Sequence, residues 1–251
     1  MRTLLVANWK QYPDTPADAR ALFHRIARAV RGKRHLTVIV APPAPFLSLF
    51  KPKGVALGLG AQDVSRFESG AHTGETSARM LKELGASFVI IGHSERRALG
   101  ERSAIVAEKI RAALNAKLTP VVCIGEDGRD ERGGHLHFLE KEIKESLEGI
   151  SRERVARVVI AYEPLWAIGK SADDAITPHV LHETVLFIRK VLTKMYGRGA
   201  ALAVSILYGG SVEPNNVAAL VKTPGIAGFL VGHASRDAHA FKEIITIIEH
   251  G

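Results

Sequence analysis

The 251-residue sequence predicts a single-domain α/β protein folded as a (β/α)₈ barrel. Three observations carry that prediction. Short apolar runs alternate with 3.6-periodic segments from one end of the chain to the other. The apolar runs are mostly non-alternating, which implies burial on both faces and therefore parallel strands joined by crossover helices. Eight β/α units in about 250 residues also match the size of a closed barrel. A doubly wound open sheet is the competing architecture. Its dinucleotide-binding form needs a glycine-rich turn after the first strand, whereas here the first strand runs into NWKQYP, which contains no glycine. No composition break, low-complexity segment or linker divides residues 1–251, so one domain is assigned.

The strand candidates, in order, are Leu4–Ala7, Leu36–Ala41, Val55–Ala61, Ser87–Gly92, Thr119–Ile124, Val155–Tyr162, Leu202–Leu207 and Gly228–Gly232. Each is a short apolar run bounded by polar or turn residues. Helical periodicity is clearest at Ala17–Val30, Ser103–Ala116, Leu139–Leu147, Pro178–Tyr196 and Ala238–Ile248, with SERRALGERSA opening the helix after the fourth strand.

Composition narrows the function. The net charge of +8 favours anionic partners, from small phosphates to nucleic acid. Most basic residues, such as Arg25, Lys109 and Arg189, fall on amphipathic helices, where a solvated face is the plain expectation. No basic stripe interleaved with aromatics is present, so nucleic acid is not the expected partner. The single cysteine, Cys123, forbids an intrachain disulfide and fits a reducing compartment. The apolar run in MRTLLVANWK is too short for a signal peptide, and no run approaches a membrane span. A cytoplasmic protein is expected, with no membrane partner.

Active sites of (β/α)₈ barrels lie where strands end. Unusual polar residues gather at those ends: Asn8 and Lys10, His93, Glu126, Glu163, Ser211, and Gly232 with His233. A barrel brings them to one mouth; an open sheet spreads them along an edge. Glu163 closes a buried strand and is followed by Pro164, Trp166 and Gly169, so it is the candidate general base. An isolated acid at a strand end is otherwise an ordinary surface glutamate. A histidine at the head of a helix is disfavoured from protonation by the helix dipole, although a lone histidine such as His93 is more commonly a cap or a satisfied core residue. Lys10 alone reads as a solvated lysine. Glycines 169, 209, 210 and 232 offer backbone N–H groups to a phosphate, or simply make tight turns. The tripeptide Gly169-Lys170-Ser171 mimics the tail of a Walker motif, but Pro164 stands where its first glycine belongs. His135 and His137 are the closest histidine pair and lack a matching acid or cysteine set, so no metal is expected.

The stretches ANWK (7–10), GAHTGE (70–75), IGHSERR (91–97), VVCIGE (121–126), AYEPLWAIG (161–169) and LYGGSV (207–212) together resemble the triosephosphate isomerase family over essentially the whole chain. The resemblance implies a (β/α)₈ (TIM) barrel that interconverts dihydroxyacetone phosphate and D-glyceraldehyde 3-phosphate through an enediolate, in glycolysis and gluconeogenesis. It implies Glu163 as base and a neutral His93 as electrophile. Lys10 supplies positive charge, Asn8 acts as a neutral donor, and Glu95 is the acid contacting the lysine or substrate. Gly169, Ser211, Gly232 and His233 would bind the phosphate. Cys123 becomes a packing residue, and no cofactor or metal is needed. The family's pKa tuning and lid closure are established general examples. The resemblance further implies a homodimer built through the long Val64–Thr76 loop. Thr73 then approaches the Asn8/Lys10 region of the neighbour, and Glu75 pairs with Arg97 across the interface.

Two departures stand out. The lid reads AIGKSADDAITP, longer than the family pattern and without its second glycine, which leaves a four-carbon ketose phosphate as an alternative substrate. The eighth loop reads VGHAS, placing His233 where a second glycine is usual and adding a titratable group beside the phosphate. A non-catalytic basic barrel that binds nucleic acid or an acidic partner is the reading from another class, and the set Asn8, Lys10, His93 and Glu163 argues against it.

Overall fold

A computed structural model describes residues 2–51, 54, 56–130, 132–167 and 176–250. The lid residues 168–175, including Gly169, lie outside the described residues, as does Val55. The order is β1 (Thr3–Asn8), α1 (Pro16–Val30), β2 (Leu36–Ala41), β3 (Leu57–Ala61), α2 (Ala78–Glu83), β4 (Ala86–Ile91), α3 (Ser94–Ala98), α4 (Ser103–Asn115), β5 (Thr119–Ile124), α5 (Gly134–Ser146), α6 (Arg152–Val155), β6 (Val159–Tyr162), α7 (Pro178–Tyr196), α8 (Arg198–Ala203), β7 (Ser205–Tyr208), α9 (Pro214–Leu220), β8 (Gly228–Val231) and α10 (Ala238–His250).

The eight strands pair in sequence order, all parallel, and β8 returns to β1 to close the barrel. Alternation across each strand splits the core in two. Val6, Ile39, Ile90, Val121, Cys123, Ala161, Leu207 and Leu230 fill the barrel lumen. Leu5, Ala7, Val38, Val122, Ile160 and Ile206 face outward and pack with helix residues such as Phe23, Ile110, Ile143 and Phe241. Helix starts follow local chemistry. Thr15 and Thr177 accept N–H groups of the first turn, each followed by proline at the first helical position.

Several sequence expectations shift. The sixth strand begins at Val159, because residues 152–155 form α6 and bury Val155 from a helix. The seventh begins at Ser205; residues 198–203 are helical, with Leu202 60% exposed. The helix expected from SERRALGERSA is broken into α3 and α4. Lys109 is not on a solvated face. It is buried, with its ammonium 2.7 Å from Asp63 and also paired to Glu101. Arg189 is half-buried and donates to the Val204 carbonyl at 2.8 Å. Both long stems pack against the barrel while their heads find acceptors. Arg97 turns inward. Its side chain is only 18% exposed and donates to the carbonyls of Gly92 and Cys123, with Glu142 at 3.3 Å. One residue earlier on α3, about 100° round the helix, Arg96 is 46% exposed and lines a surface cavity with Glu75 and Thr76. Arg96 thus faces outward beside Glu75, while Arg97 faces the protein interior.

Among the described residues, no helix is long and apolar enough to cross a membrane. Nor does any group of three or more His, Cys, Asp or Glu side chains have metal-ligand geometry among them. His135 and His137 both lie in the first turn of α5, two residues apart and on different faces.

Candidate active site

Asn8, Lys10, His93, Glu95, Glu163, Gly209, Gly210, Ser211, Gly232 and His233 line one cavity of about 480 Å³ at the C-terminal mouth of the barrel. These residues come from β1, β4, β6, β7 and β8, and parallel closure brings them together although they span most of the chain. Of the sequence-derived site residues, only Gly169 falls outside what is described.

Glu163 follows β6 and is 2% exposed. Its Oε2 accepts the backbone N–H of Ser94 at 3.1 Å, and its Oε1 lies 3.4 Å from His93 Nε2. Two glycines allow this placement. A Cβ on Gly125 would sit 1.8 Å from the Glu163 carbonyl oxygen, and one on Gly209 would sit 2.9 Å from Glu163 Cγ. The acid is therefore clamped between the ends of β5 and β7.

His93 caps α3. Its Nδ1 accepts the N–H of Glu95 at 3.2 Å. A nitrogen accepting a backbone N–H carries no proton, so the neutral ring presents Nε2–H towards the cavity and Glu163. The tautomer is thus set by this direct bond, with the five-residue helix adding little dipole of its own.

Lys10 has φ of 53°, a left-handed conformation unusual for a non-glycine residue. Both its backbone groups are held. Asn8 Oδ1 accepts its N–H at 3.1 Å, and Gln62 Nε2 donates to its carbonyl and to that of Ala41, both at 2.8 Å. Strain of about 1–3 kcal/mol persists only where the surroundings over-determine it. The turn aims Nζ over the cavity, 2.5 Å from Glu95 Oε1, while neighbouring Trp9 is fully buried against Phe50. Gln62 was missed by sequence reasoning; its only signal is a polar residue just past the end of the third strand.

A second layer supports the acid. Glu126, buried after β5, accepts from Tyr162 Oη (2.7 Å), Trp166 Nε1 (3.0 Å) and Arg129 Nε (3.3 Å). Trp166 at the root of the lid is thereby tied downward. Glu142 on α5 is 6% exposed and accepts the Gly125 N–H at 2.8 Å. Burial pushes its carboxyl up to about 7, against the opposing pull of Arg97 and that N–H. Cys123 is wholly buried, and burial followed by the Glu163 charge pushes its thiol well above the ordinary range, which makes it unreactive.

The triosephosphate isomerase family model matches residues 3–248. The chain belongs to the triosephosphate isomerase family. A triosephosphate isomerase of Roseiflexus castenholzii is 42% identical over 253 residues, covering 98% of this chain and 97% of that one. The corresponding protein of Thermus thermophilus is 41% identical, covering 98% and 99%. Among solved structures, the crystal structure of triosephosphate isomerase from Bartonella henselae superposes with a TM-score of 0.81 at 33% identity, covering 98% of this chain and 99% of that one. The fold read from strand periodicity is therefore the fold of this family.

Proposed function

We propose that the protein interconverts dihydroxyacetone phosphate and D-glyceraldehyde 3-phosphate, serving glycolysis and gluconeogenesis as one cytoplasmic catalytic barrel over residues 1–251. The observation that carries this reading is the pairing of a buried carboxylate with an imidazole 3.4 Å away, beside Lys10 in one cavity. Glu163 releases the Ser94 N–H and takes a proton from C1 of the ketose. The C2 carbonyl becomes an enediolate oxygen, stabilised by Lys10 and by the His93 Nε2–H. The same carboxyl returns the proton to C2, while His93 carries the C1 hydroxyl proton to the C2 oxygen. Glu95 orients Lys10, and Asn8 holds the Lys10 turn while facing the substrate. Gly169, Ser211, Gly232 and His233 grip the phosphate, chiefly through backbone N–H groups.

The working unit is a homodimer built through the Val64–Thr76 loop. In support, the loop is closed at its base by Ser65 N–H to Thr76 O at 2.8 Å and stiffened by a Phe67–His72 stack at 3.7 Å. Its exposed end suits insertion beside Asn8 and Lys10 of a second copy, with Thr73 of the partner subunit near Lys10 and Arg96 facing the incoming Glu75.

The test is turnover in D₂O. A carboxylate-mediated transfer places solvent deuterium on the product carbon to the extent that the carried proton exchanges before its return, and Glu163→Gln loses isomerisation and deuterium uptake together. Isomerisation that continues undiminished in Glu163→Gln would overturn the mechanism. A higher kcat/KM for a four-carbon ketose phosphate would overturn the substrate.

A further inference from the structure

The carboxylate of Glu213 stands at the phosphate end of the cavity with a fixed orientation. It caps α9, and its side chain accepts the N–H of Asn216, while the Asn216 side chain accepts the Glu213 N–H at 2.9 Å. Asn216 Nδ2 also donates to the Ser211 carbonyl at 3.0 Å, so this negative charge and the loop after β7 are held as one piece. Across the mouth, His233 follows Gly232 in the loop after β8. Its Nδ1 lies 3.4 Å from Glu213 Oε1, and its side chain is 77% exposed. Both residues line the same cavity as Ser211, Gly232 and Lys10.

A fixed carboxylate there opposes a phosphate dianion. Among the described residues, Lys10, which approaches Gly232, pairs with Glu95. Arg236, in the same turn as His233, stacks on Tyr12 at 4.2 Å. Among the described residues, His233 is the side chain that meets Glu213 directly, and it offers a cation to it only when protonated.

We propose that His233 acts through Glu213 as a charge-compensating residue of the phosphate subsite, strengthening substrate binding when its imidazole is protonated and weakening it when the proton leaves. This rests on the phosphate placement given above. The pair bridges two loops, so its state alters the field at the grip without touching the reacting carbons. The effect therefore belongs to KM rather than kcat.

The test is KM and kcat for D-glyceraldehyde 3-phosphate between pH 5.5 and 8.5, with inorganic phosphate inhibition as a second readout. The wild type is run beside His233→Gln, Glu213→Gln and the double variant. Ionisation of the substrate phosphate is common to all four and cancels in their ratios. The expected result is a wild-type KM that rises with pH relative to the double variant, by about fivefold for a partly exposed pair. His233→Gln holds the high value throughout, and Glu213→Gln restores the low one in either background. Four parallel KM profiles, or failure of Glu213→Gln to rescue His233→Gln, would overturn the inference. A wild type that does not isomerise triose phosphates would instead overturn the functional reading itself.

Discussion

Glu142→Gln isolates the cost of a buried charge behind the candidate base. Glu142 is 6% exposed and its carboxyl is raised by burial from the ordinary 4.5 to about 7. A carboxyl with a raised folded-state pKa binds more protons in the native than in the unfolded protein between those two values. Stability therefore falls as pH climbs from about 4.5 to about 7 and levels off above. The shift corresponds to about 3 kcal/mol at full ionisation, at 1.36 kcal/mol per unit. Glutamine keeps an oxygen for the Gly125 N–H and carries no charge to desolvate. The variant should match the wild type near pH 5 and exceed it by up to about 3 kcal/mol near pH 8, less whatever Arg97 loses with its anion. Urea unfolding at fixed protein concentration, repeated across that range, reads the difference. Stability curves that stay parallel from pH 5 to pH 8 would refute the reasoning, since Glu142 would then titrate alike in the folded and unfolded chain.

Gly209→Ala places a Cβ 2.9 Å from Glu163 Cγ, so kcat should fall about tenfold to a hundredfold by displacement of the carboxylate, with far-UV circular dichroism unchanged. Gln62→Ala removes the donor shared by the Lys10 and Ala41 carbonyls. It should lower kcat/KM about tenfold as the Lys10 turn relaxes, and cost about 1–2 kcal/mol in denaturant unfolding.

Strand ends were the most legible part of the site. Asn8, His93, Glu163 and Ser211 each interrupt or follow an apolar run, and the parallel barrel brings such interruptions to one rim. Residues acting through tertiary contact were not legible. Gln62 reaches Lys10 across 52 residues, and Glu142 reaches Gly125 from the polar stretch of an amphipathic helix. Neither spacing has a sequence signature. Arg96 and Arg97 are adjacent and chemically alike, and only the start of α3 decides which one turns inward. Val155 and Leu202 were read into strands because four- to six-residue helices leave too little periodicity to separate from a buried run.

The most direct measurement is a coupled isomerase assay of the wild type beside Glu163→Gln, a near-isosteric change that leaves the Ser94 N–H an acceptor. Removal of the carboxylate that shuttles the carbon-bound proton should lower kcat by at least about a thousandfold. Equal rates for the two proteins would contradict the assignment of the base and, with it, the mechanism.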